Sequence, residues 1–242
     1  MKARRIATAS VLAVLLAGAA HAAEGVGGRF AIAAQVGTQS ELGGDLLSSG
    51  QGTLAGLDAS FHSVKYKDLY APDVRVQGWI GYGVSTRVEI VLRGGYYKSD
   101  GAGISAGTFA GKDLFAFFTD YEEGTAEVAG RFYVAYRPRL KSWVAPVAGL
   151  RWSKAITASY SIPDAGSAIL NVPFSNKSTV PVLGLDIGVS FDLTEQLFIG
   201  IDSGLRWQGA PSDANAVPGL PTIDDSTGRW SAPVMASLGV RF

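Results

Sequence analysis

The residues best suited to chemistry in this sequence are one histidine and a few scattered carboxylates. His62 lies beside Ser63, and these two residue types supply the base and the nucleophile of many hydrolases. Neighbouring residues of extended backbone point to opposite sides, so adjacency in sequence does not bring the imidazole to the hydroxyl. Lipid A deacylases of the PagL type carry a histidine and a serine separated by one residue, and that spacing is missing here. We therefore predict no catalytic residue and no enzymatic activity.

Carboxylates form two further candidate sites. Asp120, Glu122 and Glu123 cluster closely enough to bind calcium loosely, but a solvated acidic turn is the favoured interpretation. Asp186 and Asp202 fall on neighbouring predicted strands, where nearby arginines would keep both ionised and unsuited to general-acid catalysis. The chain has no cysteine, so thiol ligands and disulfides are excluded. The sequence predicts neither a metal site nor a cofactor.

A larger set of charges follows a regular pattern, because each lies on the face of a predicted strand opposite the apolar residues. The set is Arg75, Glu89, Arg93, Glu127, Arg131, Arg151, Asp186, Asp202 and Arg206. Burying an unpaired charge costs several kcal/mol, so these groups are expected to pair with one another. We predict a charge network that fills the interior of a barrel; the alternative is a narrow solute pore in which the pairs rearrange.

Eight segments with period-two alternation must position these charges. The C-terminal segment shows the pattern best, since apolar residues alternate there with polar or small ones. Its apolar residues are Trp230, Ala232, Val234, Ala236, Leu238, Val240 and Phe242. The segments are roughly 9–14 residues long, as tilted membrane strands require. A ten-stranded barrel remains open if the second half of the first long loop forms a hairpin, and residues 61–70 are predicted to form a short helix or an extended ribbon.

The connections alternate between tight turns and long loops, which is typical of outer-membrane barrels. We predict a barrel domain over residues 23–242. Its four long extracellular loops are predicted at about 38–72, 98–124, 161–177 and 209–229.

The N-terminus has the layout of a secretory signal peptide over residues 1–22. Three basic residues precede an apolar run of about a dozen residues, and small residues follow. Without this segment the formal charge falls from 0 to −3, which gives no basic surface for nucleic acid. The 31 glycines and 47% hydrophobic residues suit many strands rather than a helical bundle.

The leader, the alternating segments and the terminal Phe242 after Leu238 and Val240 resemble the small outer-membrane barrels of the OmpA, OmpX and OmpW type. The resemblance implies a closed eight-stranded barrel in the bacterial outer membrane, in contact with membrane lipid and lipopolysaccharide. It also implies that Leu238, Val240 and Phe242 form the signal read by the barrel-assembly machinery.

Two groups of aromatic and apolar residues complete the prediction. An aromatic girdle at the membrane borders is predicted from Tyr96, Trp152, Phe191, Trp207 and Trp230. Leu114, Phe115, Phe117 and Phe118 either form an exposed patch for an extracellular ligand or fold back over the barrel mouth. The predicted function is a structural or surface-interaction barrel, with the narrow pore as the alternative and an envelope-lipid-modifying enzyme as the third hypothesis.

Overall fold

The main body of the protein is a closed antiparallel barrel of eight strands. The computed structural model describes residues 25–54, 56–212 and 226–242. The predicted signal peptide, residues 1–22, lies outside the described residues. Among the described residues no helix has the length and apolar character needed to cross a membrane.

The strands and the one short α-helix follow one another along the chain. In order they are β1 (Phe30–Gly43), β2 (Asp45–Leu47), β3 (Gly50–Leu54), β4 (Leu57–Phe61), β5 (Val64–Lys65), α1 (Tyr66–Leu69), β6 (Asp73–Ser85), β7 (Val88–Ser99), β8 (Gly103–Phe109), β9 (Lys112–Phe118), β10 (Tyr121–Tyr136), β11 (Leu140–Ser153), β12 (Ile156–Ile162), a 3-10 turn (Pro163–Ala165), β13 (Ser167–Ser175), β14 (Ser178–Asp192), β15 (Leu197–Gln208) and β16 (Arg229–Arg241).

The barrel closes because its first and last strands pair along nearly their whole length. Its order is β1, β16, β15, β14, β11, β10, β7 and β6, and β6 pairs back onto β1. The β1–β16 ladder runs from the pair Ala31 and Arg241 to the pair Gly43 and Trp230. Closure leaves no barrel strand with an unpaired edge. The predicted eight-stranded fold is confirmed.

Side chains alternate between the outside and the inside of the barrel. On β14, Leu185 and Ile187 are more than half exposed on the outer face, whereas Asp186 between them is buried inside. An exposed apolar wall around a buried polar interior is the reverse of a water-soluble protein. In hydrocarbon every backbone group must find its partner within the protein, which a closed sheet achieves. The barrel therefore has the architecture of a transmembrane protein.

Strands that flank the first two long connections run further than the sequence pattern indicated, whereas the strand before the third connection ends earlier. The structure gives long connections at 44–72, 100–120, 154–177 and 209–228, in place of the predicted 38–72, 98–124, 161–177 and 209–229. Strand β1 extends into the predicted first loop, where the ladder continues through Gly37 to Gly43. Backbone pairing outlasts the apolar alternation there, because strands that leave a membrane no longer need an apolar outer face.

The first three long connections are folded rather than irregular. They build a six-stranded sheet in the order β13, β12, β9, β8, β4 and β3, together with the β2–β5 pair and α1. We call residues 44–72, 100–120 and 154–177 the cap. A hairpin does form in the first connection, from β3 and β4, but it joins the cap sheet and not the barrel. Residues 61–70 contain both predicted alternatives, since β5 is followed directly by α1.

The cap has its own hydrophobic core. The buried members of this core are Leu46, Leu47, Ala59, Phe61, Val64, Tyr66, Leu69, Tyr70, Tyr97, Ala106, Leu114, Ala116, Phe118, Tyr121, Ile156, Ala158 and Phe174. Tyr97 and Tyr121 belong to barrel strands β7 and β10, so the core is continuous with the upper end of the barrel. The cap therefore packs directly onto the barrel mouth.

Candidate functional site

The interior of the barrel contains three clusters of charged side chains, stacked from the long-loop end to the short-turn end. All nine charged residues predicted to face the interior are buried there, with exposures of at most 7%. The structure adds Glu41, Glu123 and Arg229 to the set, and below the three clusters the partly buried Asp192 pairs with Lys141 and Arg241.

The upper cluster surrounds the carboxylate of Glu123, whose side chain is fully buried. Arg229 Nη2 donates to Glu123 Oε2 at 2.6 Å, and the Tyr121 hydroxyl donates to the same oxygen at 2.7 Å. Arg75 Nη1 lies 3.5 Å and Arg151 Nη1 3.6 Å from the carboxylate. Three guanidinium groups therefore converge on one carboxylate directly beneath the cap.

Several polar groups complete the upper cluster. Glu41 lies 3.5 Å from Arg229 Nε and accepts a hydrogen bond from Gln39 at 2.9 Å. Gln208 accepts hydrogen bonds from Arg229 Nε at 2.6 Å and from Arg151. These contacts tie together residues from β1, β15 and β16, so the cluster joins strands on both sides of the β1–β16 closure.

The middle cluster joins two arginines to two carboxylates. Arg93 contacts Glu127 at 2.5 Å and Asp186 at 2.7 Å. Arg206 donates from Nη2 to Asp186 at 2.7 Å, and its Nε lies 3.5 Å from Glu127. Asp202 accepts a hydrogen bond from Gln35 at 2.5 Å. The arrangement is that of a structural ion network.

The lower cluster is embedded among aromatic rings. The Arg131 guanidinium lies 4.1 Å from the Trp79 ring centroid and 4.4 Å from that of Trp143. Its partner Glu89 lies 3.2 Å from Arg131 Nη1 and accepts a hydrogen bond from Tyr133 at 2.8 Å. Aromatic faces stabilise a cation and also exclude water.

The lower part of the interior also contains a largely apolar core. Its members are Val26, Ala31, Ala33, Trp79, Val91, Ala129, Tyr133, Trp143, Ala145, Val147 and Phe198. The short-turn half of the interior therefore combines this core with the ion pair of Arg131 and Glu89. Trp79 and Trp143 lie on the same strand faces as the inward charges. A pattern that assigns apolar residues to the outer face does not identify them, because they are apolar.

Glu123 is the clearest correction to the sequence-based assignment. It was grouped with Asp120 and Glu122 in a solvated acidic turn, yet it lies in β10 and points into the barrel. Glu123 has the same parity as Glu127, so extending the β10 alternation by four residues would have found it. Among the described residues no cluster of acidic or histidine side chains could hold a metal ion.

The two remaining acidic groups lie at the outer rim. The Lys98 ammonium lies 2.8 Å from Asp120 and, by hydrogen bonding, holds the pKa of that carboxyl below its ordinary value. Glu122 lies 2.5 Å from Lys154, and this hydrogen bond raises the pKa of the Lys154 ammonium. His62 and Ser63 are exposed on the cap.

The predicted loop patch is divided between two faces of β9. Leu114 and Phe118 are buried in the cap core, whereas Phe117 is 52% exposed and Phe115 is half-buried. The alternation of the strand separates them, because successive side chains point to opposite faces of a sheet. The prediction of a single exposed patch was therefore wrong. For Leu114 and Phe118 the alternative is correct, since the loop folds back over the barrel mouth and buries them.

The predicted aromatic girdle residues lie on the outer surface at both ends of the barrel. Tyr96, Trp152 and Trp230 are exposed near the long-loop end, where Trp207 is half-buried, and Phe191 is exposed near the short turns. Leu238 and Phe242 are exposed and Val240 is half-buried, all on the outer face of the last strand. The backbone NH of Phe30 donates to the Phe242 carbonyl, which closes the barrel at its lower rim.

No family model matches the chain, and no curated protein matches it. Among solved structures it is similar to Neisserial surface protein A (NspA), at 15% identity over 89% of this chain and 99% of that chain, with a TM-score of 0.42. It is also similar to AlkL in lipid bilayers, at 14% identity over 92% and 93%, with a TM-score of 0.45. The outer membrane protease OmpT from Escherichia coli aligns at 9% identity over 88% and 97%, with a TM-score of 0.43. These similarities concern the fold alone.

The outer wall, the aromatic borders and the loop lengths of the barrel all belong to one known type of membrane protein. A closed antiparallel barrel with an even strand number, an apolar outer wall, aromatic borders and loops long at one rim only is the architecture of bacterial outer-membrane proteins. The chain is a small eight-stranded outer-membrane β-barrel.

Proposed function

We propose that this protein is a non-conducting outer-membrane barrel that presents the folded cap as an interaction surface on the outside of the cell. The contact between the cap and the upper cluster carries the proposal. The Arg229 guanidinium lies 4.7 Å from the ring centroid of Tyr66 in α1 and 4.4 Å from that of Tyr121 in β10. A side chain from the cap therefore covers the charges that would otherwise line an entrance.

Both ends of the interior support a plugged lumen. At the upper end Arg151, Arg229, Tyr66 and Tyr70 are at most 1% exposed. At the lower end Val26 is 2% exposed, and its backbone NH donates to Thr86 at 3.1 Å. An eight-stranded barrel is only wide enough for its own side chains, so paired charges here act as packing.

The cap supports a role in binding a partner at the cell surface. It is a six-stranded sheet with a buried core on one side, and such a scaffold holds exposed residues in fixed positions. Phe117 and Leu57 are about half exposed on it. The partner is an extracellular ligand of the cap, and the barrel contacts membrane lipid and lipopolysaccharide. We further propose that the assembly machinery reads Leu238, Val240 and Phe242.

Conductance of the refolded chain in planar bilayers tests the plugged lumen. We expect no stable channel from the native sequence. The double variant Tyr66→Ala with Arg229→Ala removes the ring that covers the upper cluster and the arginine directly beneath that ring. We therefore expect short channel openings from this variant. Steady conductance by the native chain would overturn the proposal.

Single-cysteine labelling tests the orientation, because the natural chain has no cysteine. Lys112→Cys lies on the cap and Glu195→Cys in a short turn, and both positions are exposed. On intact cells a membrane-impermeant maleimide should label only the first. Preferential labelling of Glu195→Cys would place the cap in the periplasm and refute the surface role.

The narrow solute pore is the second candidate, and one observation favours it. Several buried guanidinium nitrogens have no hydrogen-bond partner in the part of the chain that the structure describes: Arg75 Nε, Arg93 Nη2, Arg151 Nε, Arg206 Nε and Arg229 Nη1. Donors of this kind are commonly hydrated. Waters beside rearranging ion pairs would give a solute-sized path, which the same conductance experiment detects.

A further inference from the structure

We propose that a pocket on the outer rim of the barrel binds the phosphorylated sugar headgroup of an outer-leaflet glycolipid. The proposal rests on the outer-membrane orientation proposed above. The pocket has a volume of about 360 Å³, and its lining includes Tyr96, Gly124, Trp152, Lys154 and Lys177. It lies on the lipid-facing side of the barrel, and Glu123 is the one residue that it shares with the charge clusters of the lumen.

The floor of the pocket is a row of residues across four neighbouring strands. Gly124 on β10 pairs with Tyr96 on β7 and with Trp152 on β11, and Trp152 pairs with Thr179 on β14. A Cβ atom added to Gly124 would overlap the Trp152 indole, so the ring lies against the glycine backbone. Trp152 remains 49% exposed. An exposed ring held flat against the barrel wall is a platform on which a sugar can stack.

Charged groups stand directly above this floor. Glu122 accepts a hydrogen bond from the Tyr96 hydroxyl at 2.8 Å and lies 2.5 Å from Lys154 Nζ, so one carboxylate positions both side chains. Lys177 is exposed and forms no ion pair with any described residue. Glu123 also lines the pocket, but its side chain is fully buried and its charge is compensated by the arginines of the upper cluster. Two lysines against the one carboxylate Glu122 leave the pocket with excess positive charge.

The position of the pocket favours a lipid as the source of this headgroup. Below the floor, Leu150 and Leu183 are each more than half exposed on the outer wall, where acyl chains would lie. Aromatic residues mark the border between hydrocarbon and headgroups, and lysines just beyond them meet lipid phosphates. A ligand at this height has its sugar against Trp152, its phosphate near Lys154 and Lys177, and its chains along the barrel wall.

Lipid binding by the full mature chain in detergent tests the proposal. Native mass spectrometry would measure the affinity for diphosphoryl lipid A, monophosphoryl lipid A and phosphatidylglycerol, with inorganic phosphate as competitor. The site variant is Lys154→Gln with Lys177→Gln. The matched control is Lys65→Gln with Lys67→Gln, two exposed lysines of the cap.

We expect the site variant to bind diphosphoryl lipid A at least about tenfold more weakly than the native chain, and the control to bind it equally well. Monophosphoryl lipid A and phosphatidylglycerol should bind to the native chain more weakly than diphosphoryl lipid A does. Gly124→Ala keeps every charge but displaces the indole, so a severalfold loss is expected from it. Equal affinity of site and control variants, or full competition by inorganic phosphate, would overturn the proposal. Neither result would change the outcome of the conductance or labelling experiments. Failure of the lipid-binding proposal is therefore distinguishable from failure of the proposed function.

Discussion

Replacing Glu123 by glutamine removes the one carboxylate on which three buried arginines converge. Glutamine keeps the size of the side chain and one carbonyl acceptor, but it has no charge. Arg229 then loses its 2.6 Å contact with a carboxylate, and Arg75 and Arg151 lose their nearest negative group. The Tyr121 hydroxyl also exchanges a charged acceptor for a neutral one.

The expected loss in the free energy of unfolding follows from the three arginines, which would stay buried without their shared carboxylate. A buried hydrogen bond to a charged partner contributes roughly 1.5–3 kcal/mol, and removing one partner of a buried ion pair typically costs 3–5 kcal/mol. Glu41 lies 3.5 Å from Arg229 and retains part of the compensation. We therefore expect Glu123→Gln to lower the free energy of unfolding by about 3–5 kcal/mol.

Equilibrium unfolding by urea in phospholipid vesicles measures this loss, with tryptophan fluorescence as the signal. Glu195→Gln, in an exposed short turn, is the matched control and should stay within about 0.5 kcal/mol of the native chain. A double-mutant cycle with Arg229→Gln should give a coupling of roughly 1–3 kcal/mol. A loss below about 1 kcal/mol for Glu123→Gln would mean that water, rather than the carboxylate, compensates these arginines, and would refute the reasoning.

Three further predictions concern packing, pH and assembly. Gly188→Ala forces a Cβ into the Trp143 indole and should cost about 1–3 kcal/mol in urea unfolding, whereas Gly130→Ala meets only ordinary contacts and should be nearly neutral. Burial raises the pKa of the Tyr70 phenol, so an opened cap loses this proton first and cap stability should fall as the pH rises above about 10. Tyr70→Phe should weaken that dependence in a proteolysis assay, and an unchanged pH profile would contradict it. Phe242→Ala should reduce the amount of folded barrel in the outer membrane on heat-modifiability gels, and native levels would argue against an assembly signal.

The period-two alternation of the sequence was sufficient to predict a closed barrel with eight alternating segments, and it left open two further strands from the first long loop. Leu185, Asp186 and Ile187 show why, because neighbouring residues of a strand face different environments and a membrane makes that difference extreme. The same parity indicated which charges point inwards. Every outward residue in the membrane-spanning part of a strand contacts hydrocarbon. The apolar side chains at these positions are therefore visible in the local sequence.

Residues beyond the membrane were harder to predict, because their environment is set by contacts distant in sequence. Leu114 and Phe118 are buried only because strands from three separate connections meet in one sheet above the barrel. Nothing in residues 44–72, 100–120 or 154–177 taken singly indicates that pairing. Glu123 illustrates the same limit, since its partners Arg75, Arg151 and Arg229 come from three other strands.

Period-two alternation predicts a closed barrel of eight or ten strands, its inward and outward faces, and the type of membrane that it suits; the structure fixes the number at eight. Those properties follow from a repeat of two residues and the cost of exposing polar backbone to lipid. Only the tertiary structure decided which charges pair, how the cap covers Arg229, and that Tyr96, Gly124 and Trp152 form one outer pocket. Strand register decides which charges pair and which residues form the pocket, and packing of the cap on the barrel decides the cover over Arg229.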